Sequence, residues 1–98
     1  MKSVDEAARS LTDMQRAVLE ALAADENTFL ARDEARRIAG ATVAGFRRVT
    51  DRMQTDHLVA PRDGWVEGRG KVWGMALTWF GKRVISAHGE FRRAGVLS

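Results

Sequence analysis

Cysteine is absent from this 98-residue sequence, and proline occurs once. Without cysteine the chain has no disulfide framework, no thiolate nucleophile and no cysteine-ligated zinc site, and oxidant sensing through thiols is excluded. No apolar run approaches the roughly 18 residues that span a bilayer, and the polar, acidic start of the chain is unlike a signal peptide. We therefore expect a cytoplasmic protein that does not enter a membrane.

The short chain also leaves little room for a large internal pocket. A domain of this size buries only about 60 to 65% of the surface of its unfolded chain, so a single core has to use nearly all of its apolar residues. We expect one domain over residues 1–98, with an N-terminal arm at residues 1–10 and no bound cofactor. The C-terminal helix, within residues 79–98, is a candidate dimer contact.

The net charge of +3 is unevenly distributed along the chain. Residues 1–41 carry 6 basic and 8 acidic side chains, a net charge of −2, whereas residues 42–98 carry 10 basic and 5 acidic side chains, a net charge of +5. The basic residues of the second part are mostly arginine, whose planar guanidinium suits phosphate and guanine better than an ammonium group does. This part is therefore the candidate for binding nucleic acid, with an ordinary solvated basic surface as the alternative.

Apolar residues at helical spacing predict an amphipathic helix over residues 11–24, capped by Ser10 or Thr12. Its predicted buried face consists of Leu11, Met14, Ala17, Val18, Ala21 and Leu22. The β-prone run at residues 28–30 predicts a short strand after this helix.

A second helix is predicted over residues 32–39, because its acidic residues precede its arginines in the order that the helix dipole favours. Gly40 ends this helix, and Thr42 is a suitable N-cap for a third one. The predicted buried face of the third helix consists of Phe46, Val49 and Met53, with Thr50 as a further candidate.

The third helix is expected to close at Leu58–Val59, because Pro61 prevents its continuation. Two β-prone segments follow, at residues 65–67 and 71–77, and they flank Gly68-Arg69-Gly70. This pattern predicts a β-hairpin with a basic, glycine-rich tip.

Thr78 is a suitable cap for a last helix that runs to about Arg93. The complete order is then helix, strand, helix, tight turn, helix, hairpin and helix. This order is typical of a mainly α domain with a small β-hairpin wing, the winged helix-turn-helix, which presents the second helix of the pair to the major groove of DNA.

Four segments resemble the MarR-type transcriptional regulators over roughly residues 11–86. They are Leu11-Thr12-Asp13-Met14-Gln15, Ala39-Gly40-Ala41-Thr42, the run Val49-Thr50-Asp51-Arg52-Met53 with Asp56-His57-Leu58-Val59, and Ala76-Leu77-Thr78-Trp79-Phe80-Gly81-Lys82. The resemblance implies a DNA-binding winged helix. Members of this family dimerise through long terminal helices, for which this chain has only residues 1–10 and about 79–98.

The candidate DNA contacts lie on the recognition helix, at about residues 42–57, and on the wing, at about residues 62–74. The recognition helix is expected to expose Thr42, Val43, Ala44, Arg47 and Arg48. The two arginines suit guanine or phosphate, and Val43 or Ala44 suits a thymine methyl group. Arg52 lies farther along, where it meets the DNA backbone or pairs with Asp51 or Asp56.

In the wing, the run from Glu67 to Lys71 resembles the family's acid-x-arginine element, in which the acid positions the arginine. The resemblance therefore implies that Arg69 and Lys71 contact DNA, and Arg62 is a further candidate for the DNA backbone. An ordinary glycine-rich hairpin, kept soluble by its charges, is the alternative.

Two residues depart from the expected pattern. Arg36 occupies a position at which a strict helix-turn-helix has a small buried residue, so either Ala35 takes that place through a one-residue shift or the two helices pack unusually. Gly45 inside a helix costs about 1 kcal/mol relative to alanine and indicates a close approach of another helix or of DNA.

The remaining aromatic and titratable residues indicate no enzyme. Trp65, Trp73 and Trp79 are expected to cap the core or to form a dimer contact, with a stacking surface for single-stranded nucleic acid or a ligand as the alternative. His57 and His88 are far apart in sequence and lack a tight carboxylate cluster, so no metal site is expected. No catalytic dyad, phosphate-binding loop or effector motif is recognisable.

We therefore expect a small transcriptional regulator that binds double-stranded DNA sequence-specifically, as a homodimer on a palindromic operator. The alternative is a winged-helix protein-interaction module or an accessory factor in replication, partition or excision of a phage or mobile element, with another protein as its partner. The fold alone does not choose between these functions.

Overall fold

The computed structural model describes residues 2–96, which form five helices and a three-stranded antiparallel sheet. In chain order the elements are α1 (Val4–Arg9), α2 (Asp13–Ala24), β1 (Phe29–Ala31), α3 (Arg32–Ala39), α4 (Val43–Thr55), β2 (Val59–Val66), β3 (Gly70–Leu77) and α5 (Trp79–Arg93). From α2 onward, the predicted order of helices and strands is confirmed. Residue 1 of the predicted arm and residues 97–98 of the C-terminal segment lie outside the described residues. No helix in the described part of the chain has the length and apolar character needed to cross a membrane.

Threonine caps set the starts of three helices. The side chains of Thr12, Thr42 and Thr78 each accept a hydrogen bond from the backbone N–H three residues later. This bond satisfies one of the backbone donors that a helix leaves free at its N-terminus. At the end of α3, Gly40 adopts the left-handed conformation with φ of +67°, which glycine reaches without strain. The predicted caps are confirmed, with Thr12 rather than Ser10 starting α2.

The buried face of α2 differs from the predicted one. Val18 and Leu22 are buried as expected, but Met14 is exposed, whereas Gln15 and Leu19 are buried. Both sets follow helical spacing, so the sequence pattern allows either face. The packing of α2 against α3 and α5 selects the face that carries Leu19.

The N-terminal arm contains a helix, which the sequence pattern missed. Ser3 caps the six-residue helix α1, whose buried residues Ala7 and Ala8 pack in the core next to α5. A helix this short is not stable alone, so its stability comes from tertiary contacts. One of them joins Nδ1 of the buried His88 to the Ala8 carbonyl oxygen at 2.9 Å.

The hairpin begins earlier than predicted. Helix α4 ends at Thr55, and His57 follows it in the left-handed conformation with a φ of +60°. Val59 was expected to close the helix, but it is the first residue of strand β2. The order of the sheet is β1-β3-β2, which makes β2 an edge strand. Pro61 is tolerated in this strand because an edge residue need not donate a hydrogen bond outward.

Strands β2 and β3 pair from Val59 opposite Leu77 to Val66 opposite Gly70. The tip of the hairpin turns through Gly68, which has a φ of +83°, and the Arg69 backbone N–H donates to the Val66 carbonyl oxygen. The predicted basic, glycine-rich tip is confirmed, while the paired strands extend beyond the predicted wing, over residues 59–66 and 70–77.

Candidate nucleic-acid interface

The turn between α3 and α4 holds the two helices together through backbone contacts. Ala35 is buried in the core, whereas Arg36 is only half-buried. The Arg36 guanidinium donates to the Ala41 carbonyl oxygen across the turn at 3.2 Å. The small residue expected at this packing position is therefore Ala35, and Arg36 instead stabilises the turn that sets the start of α4.

Helix α4 has one buried and one exposed face. Phe46, Thr50 and Met53 are buried, and Val49 is half-buried. The buried Thr50 hydroxyl donates to the Phe46 carbonyl oxygen at 2.9 Å, which satisfies it inside the core. The exposed residues at the start of the helix are those predicted from the pattern: Thr42, Val43, Ala44, Arg47 and Arg48.

Arg47 and Arg48 are exposed cations on this face of α4. Among residues 2–96, neither forms an ion pair, whereas Arg52 pairs with Asp56 at 3.2 Å. Of the two acids expected as partners of Arg52, Asp56, the C-cap of α4, is the one that it contacts. Arg47 and Arg48 line an open concavity of about 810 Å³ together with Val43 and Ala44. Their guanidinium groups are available to a ligand without breaking an internal ion pair.

Gly45 is not in contact with another helix. A Cβ atom at this position would lie 3.0 Å from Oγ1 of Thr42, the hydroxyl that caps the same helix, and this is the contact that a side chain would crowd. The expected close approach of another helix is therefore not found, and the nearest neighbour of this position is the cap of its own helix.

The three basic residues predicted in the wing have different environments. The guanidinium of Arg62 lies 5.4 Å from the centre of the Phe29 ring, in the range of a cation–π contact. Nζ of Lys71 lies 3.5 Å from a carboxylate oxygen of Asp63. Both Arg62 and Lys71 remain exposed on the hairpin.

Arg69 is positioned by an acid different from the one that the family resemblance implies. Its Nη1 atom donates to both carboxylate oxygens of Asp33, each at 3.0 Å, so Glu67 is not its partner. Asp33 lies in the first turn of α3, 36 residues away in sequence. The ion pair therefore ties the tip of the hairpin to the helix that precedes α4.

The pH dependence of this ion pair follows from the pKa of Asp33. The hydrogen bond from Arg69 lowers the pKa of the Asp33 carboxyl below its ordinary value of 3.8. A carboxyl whose pKa is lower in the folded than in the unfolded protein stabilises the folded state at pH values above the unfolded pKa. This contribution to stability is lost as the pH falls through the lowered pKa. We expect the carboxyl carbon of Asp33 to titrate by NMR with a midpoint below 3.8, and the midpoint to return toward that value in Arg69→Ala. An unchanged midpoint in this variant would mean that the ion pair does not form.

A groove connects the hairpin to the start of α4. It has a volume of about 390 Å³ and lies between α3, α4 and strand β3. Val72 contributes apolar surface, and the guanidinium of Arg32 lies 5.6 Å from the centre of the ring of the buried Phe46. Sequence reasoning missed Arg32 and Trp73 as parts of this surface, because only the folded chain brings them beside Val43.

The three tryptophans do not cap the core. Trp65, Trp73 and Trp79 are 75%, 57% and 73% exposed, so the predicted core-capping role is wrong. Tryptophan is usually highly buried in folded proteins, so three mostly exposed tryptophans are unusual in a domain of this size. The alternative roles, a dimer contact or a stacking surface, stay predictions.

The end of the molecule formed by α1 and α5 is distinct from this interface. His88 lies there and is buried, whereas His57 is exposed beyond the end of α4. Within residues 2–96, no group of three histidine, aspartate or glutamate side chains is arranged to hold a metal ion.

No protein-family model matches the sequence, and a comparison with curated proteins finds no match. Function therefore has to be inferred from the side chains of this surface.

Proposed function

We propose that this chain is a winged helix-turn-helix protein that binds double-stranded DNA sequence-specifically, as a transcriptional regulator similar to the MarR type. The observation that carries the proposal is the pair of exposed arginines, Arg47 and Arg48, without ion-pair partners in the described chain, on the first turns of a capped helix beside a basic hairpin. The MarR-like segments around the turn and the exit of the hairpin support the same assignment. The chain acts by binding, without catalysis.

In this proposal the start of α4 enters the major groove, which is about 12 Å wide and admits a helix. Arg47 and Arg48 donate to the O6 and N7 atoms of guanine or to phosphate, and Val43 or Ala44 contacts a thymine methyl group. Thr42 keeps its oxygen for the cap and can donate its hydroxyl hydrogen to a phosphate. Arg52 remains a weaker candidate for a backbone phosphate because Asp56 holds it.

The hairpin supplies the flanking contacts. Arg62, Arg69 and Lys71 are exposed along it, and Arg69 is held in place by Asp33. Phosphate contacts of this kind fix the position of the protein on the duplex and contribute affinity that depends on salt. The Asp33 ion pair orients the hairpin before DNA arrives, which lowers the entropy lost on binding.

We further propose that the protein binds a palindromic operator as a homodimer. Helix α1 lies beside residues 55–57 at the C-terminal end of α4, and the first turn of α5 lies against Leu58. The outer surfaces of α1 and α5 are therefore remote from the start of α4 and free for a second subunit. Two recognition helices would then lie about 34 Å apart, in successive major grooves. A measured molar mass of a strict monomer, with and without operator, would contradict the dimer while leaving the fold intact.

The experiment that tests the proposed function is a selection from a pool of randomised duplexes, followed by affinity measurements on the selected duplex. We expect enrichment of one sequence, and weaker, salt-sensitive binding to random duplex. Failure to bind any duplex at low salt would contradict the proposal.

The salt dependence provides a sharper prediction for Lys71. If this side chain holds one phosphate, Lys71→Ala lowers the slope of log affinity against log salt by about 1, because one counterion fewer is released. Lys82→Ala on α5 is the matched control, since it removes the same charge outside the proposed interface, and its slope is expected to equal that of the unchanged protein. Equal slopes for both variants would exclude a phosphate contact at Lys71.

A protein-interaction module is the second candidate, and the exposure of the three tryptophans favours it specifically. Tryptophan is enriched among the residues that dominate protein–protein affinity. Random duplex DNA distinguishes the two functions, because a module of this kind does not bind it at any salt concentration.

A further inference from the structure

Two of the exposed tryptophans lie on one face of the hairpin. Trp65 is opposite Lys71 in the register of β2 and β3, and Trp73 is opposite Asp63. Residues opposite each other, and residues two apart on one strand, share a face of a sheet. Trp65 and Trp73 are therefore diagonal neighbours, a relation in which positions are about 7 to 8 Å apart and long aromatic side chains reach each other. Both side chains are mostly exposed.

This aromatic pair is continuous with the proposed DNA interface. Trp73 lines the groove that also contains Val43, at the start of α4, and Arg69, at the tip of the hairpin. Lys71 lies between the two tryptophans on the same face. A nucleic-acid strand that leaves the start of α4 along the hairpin would meet both indole rings and the cations beside them.

An intact duplex has few exposed base faces on which an indole ring can stack. Its bases cover each other's faces and present only their edges in the grooves. A base becomes available for stacking where it is unpaired, and stacking on an aromatic side chain is independent of base identity. Two exposed indole rings on one face can each stack on a base of the same unpaired segment.

We propose that the hairpin binds an unpaired base at a junction between duplex and single-stranded DNA, stacking it on Trp65 and Trp73 while α4 holds the adjacent duplex. The inference rests on the proposed function, because α4 supplies the duplex contact. A protein partner is the less favoured occupant, since the same face carries the charged pair of Lys71 and Asp63 between the rings and adjoins the arginines of the groove.

The test compares two probes: the blunt selected duplex, and the same duplex with a short oligothymidine extension. We expect the extension to raise the affinity about fivefold or more, the equivalent of at least one stacked base. Trp65→Ala, which lies outside the groove, should remove most of this gain while leaving the affinity for the blunt duplex nearly unchanged. Trp73→Ala also removes a side chain from the groove, so its expected result is a ratio of the two affinities that falls toward one. Trp79→Ala is the matched control, because it removes an equally exposed indole from α5, and it should keep the gain.

Fluorescence provides a second measurement that does not depend on affinity. In Trp79→Phe, the remaining tryptophans are those of the hairpin, and we expect the extended probe to quench their emission more than the blunt probe does. The proposal is overturned if the unchanged protein binds both probes equally. It is also overturned if the extension still raises the affinity after both hairpin substitutions, and either result is expected if the two tryptophans bind a protein instead.

Failure of this inference is distinguishable from failure of the proposed function. Replacing Arg47 and Arg48 by alanine should weaken binding of both probes and preserve the ratio between them. If the double variant binds the blunt duplex normally, the assignment of α4 is wrong, whereas the ratio of affinities still reports on the two tryptophans.

Discussion

Replacing both Arg47 and Arg48 by alanine is expected to lower the affinity for the selected duplex by about 30-fold or more, because each arginine contact with guanine discriminates by about 1 to 3 kcal/mol. The variant should also lose most of its preference for the selected sequence over random duplex. Both side chains are exposed and without ion pairs within residues 2–96, so the fold is expected to survive. Fluorescence anisotropy with labelled selected and random duplexes measures both effects.

The chain offers a matched control for this experiment. Arg92 and Arg93 are also consecutive, exposed arginines on a helix, but they lie at the end of α5, where Nη1 of Arg92 is 4.0 Å from a carboxylate oxygen of the exposed Glu20. Their double replacement removes the same charge, so it separates a specific contact from the general effect of net charge. Equal losses of affinity in the two double variants, with the molar mass of both unchanged, would contradict a recognition role for α4.

Gly81→Ala is expected to lower the stability of the fold strongly. A Cβ atom at this position would lie 2.1 Å from the Leu58 carbonyl oxygen, because the first turn of α5 packs directly on the backbone after α4. Backbone cannot move aside as a flexible side chain does, so we expect a loss of about 3 kcal/mol or more. This corresponds to a fall in melting temperature of roughly 12 °C or more for a domain of this size, measured by circular dichroism.

Gly89→Ala is the control in the same helix. The nearest atom to a Cβ there is the guanidinium nitrogen of Arg93 at 3.5 Å, an ordinary contact with a flexible side chain. Alanine in a helix interior is favoured over glycine by about 0.5 to 1 kcal/mol, so this variant should be more stable. If Gly81→Ala melted within a few degrees of the unchanged protein, the packing of α5 against Leu58 would be wrong.

Local signals predicted most of the helices correctly. Thr12, Thr42 and Thr78 cap their helices through contacts three residues away, and Gly40 ends α3 through its own backbone conformation. Such features depend on neighbouring residues alone, so the sequence contains them completely.

Features that depend on tertiary packing were missed or misplaced. Helix α1 exists because Ala7 and Ala8 pack near α5, and the buried face of α2 turns toward Leu19 instead of Met14 because of its neighbours in space. The periodic pattern of a short or broadly apolar segment contains no information about those neighbours.

The candidate site also contains features that local sequence predicts and features that depend on tertiary packing. The exposed face of α4 could be predicted, because Phe46 and Met53 fix which side of the helix enters the core. The partner of Arg69 could not, since Asp33 lies 36 residues away and meets it only when the hairpin packs beside α3. The exposure of Trp65 and Trp73 was also missed, because strand patterning places them on the same face as buried Met75 and only the structure shows that the hairpin extends beyond the core.

The most direct test of the account is the map of backbone amide shifts in isotopically labelled protein titrated with the selected duplex. If α4 reads the major groove, the largest changes will fall within residues 42–48, with a second group along the hairpin from Arg62 to Lys71. Changes concentrated in α1 and α5, or no changes at all, would contradict the assignment of α4 and the hairpin as a DNA-binding surface.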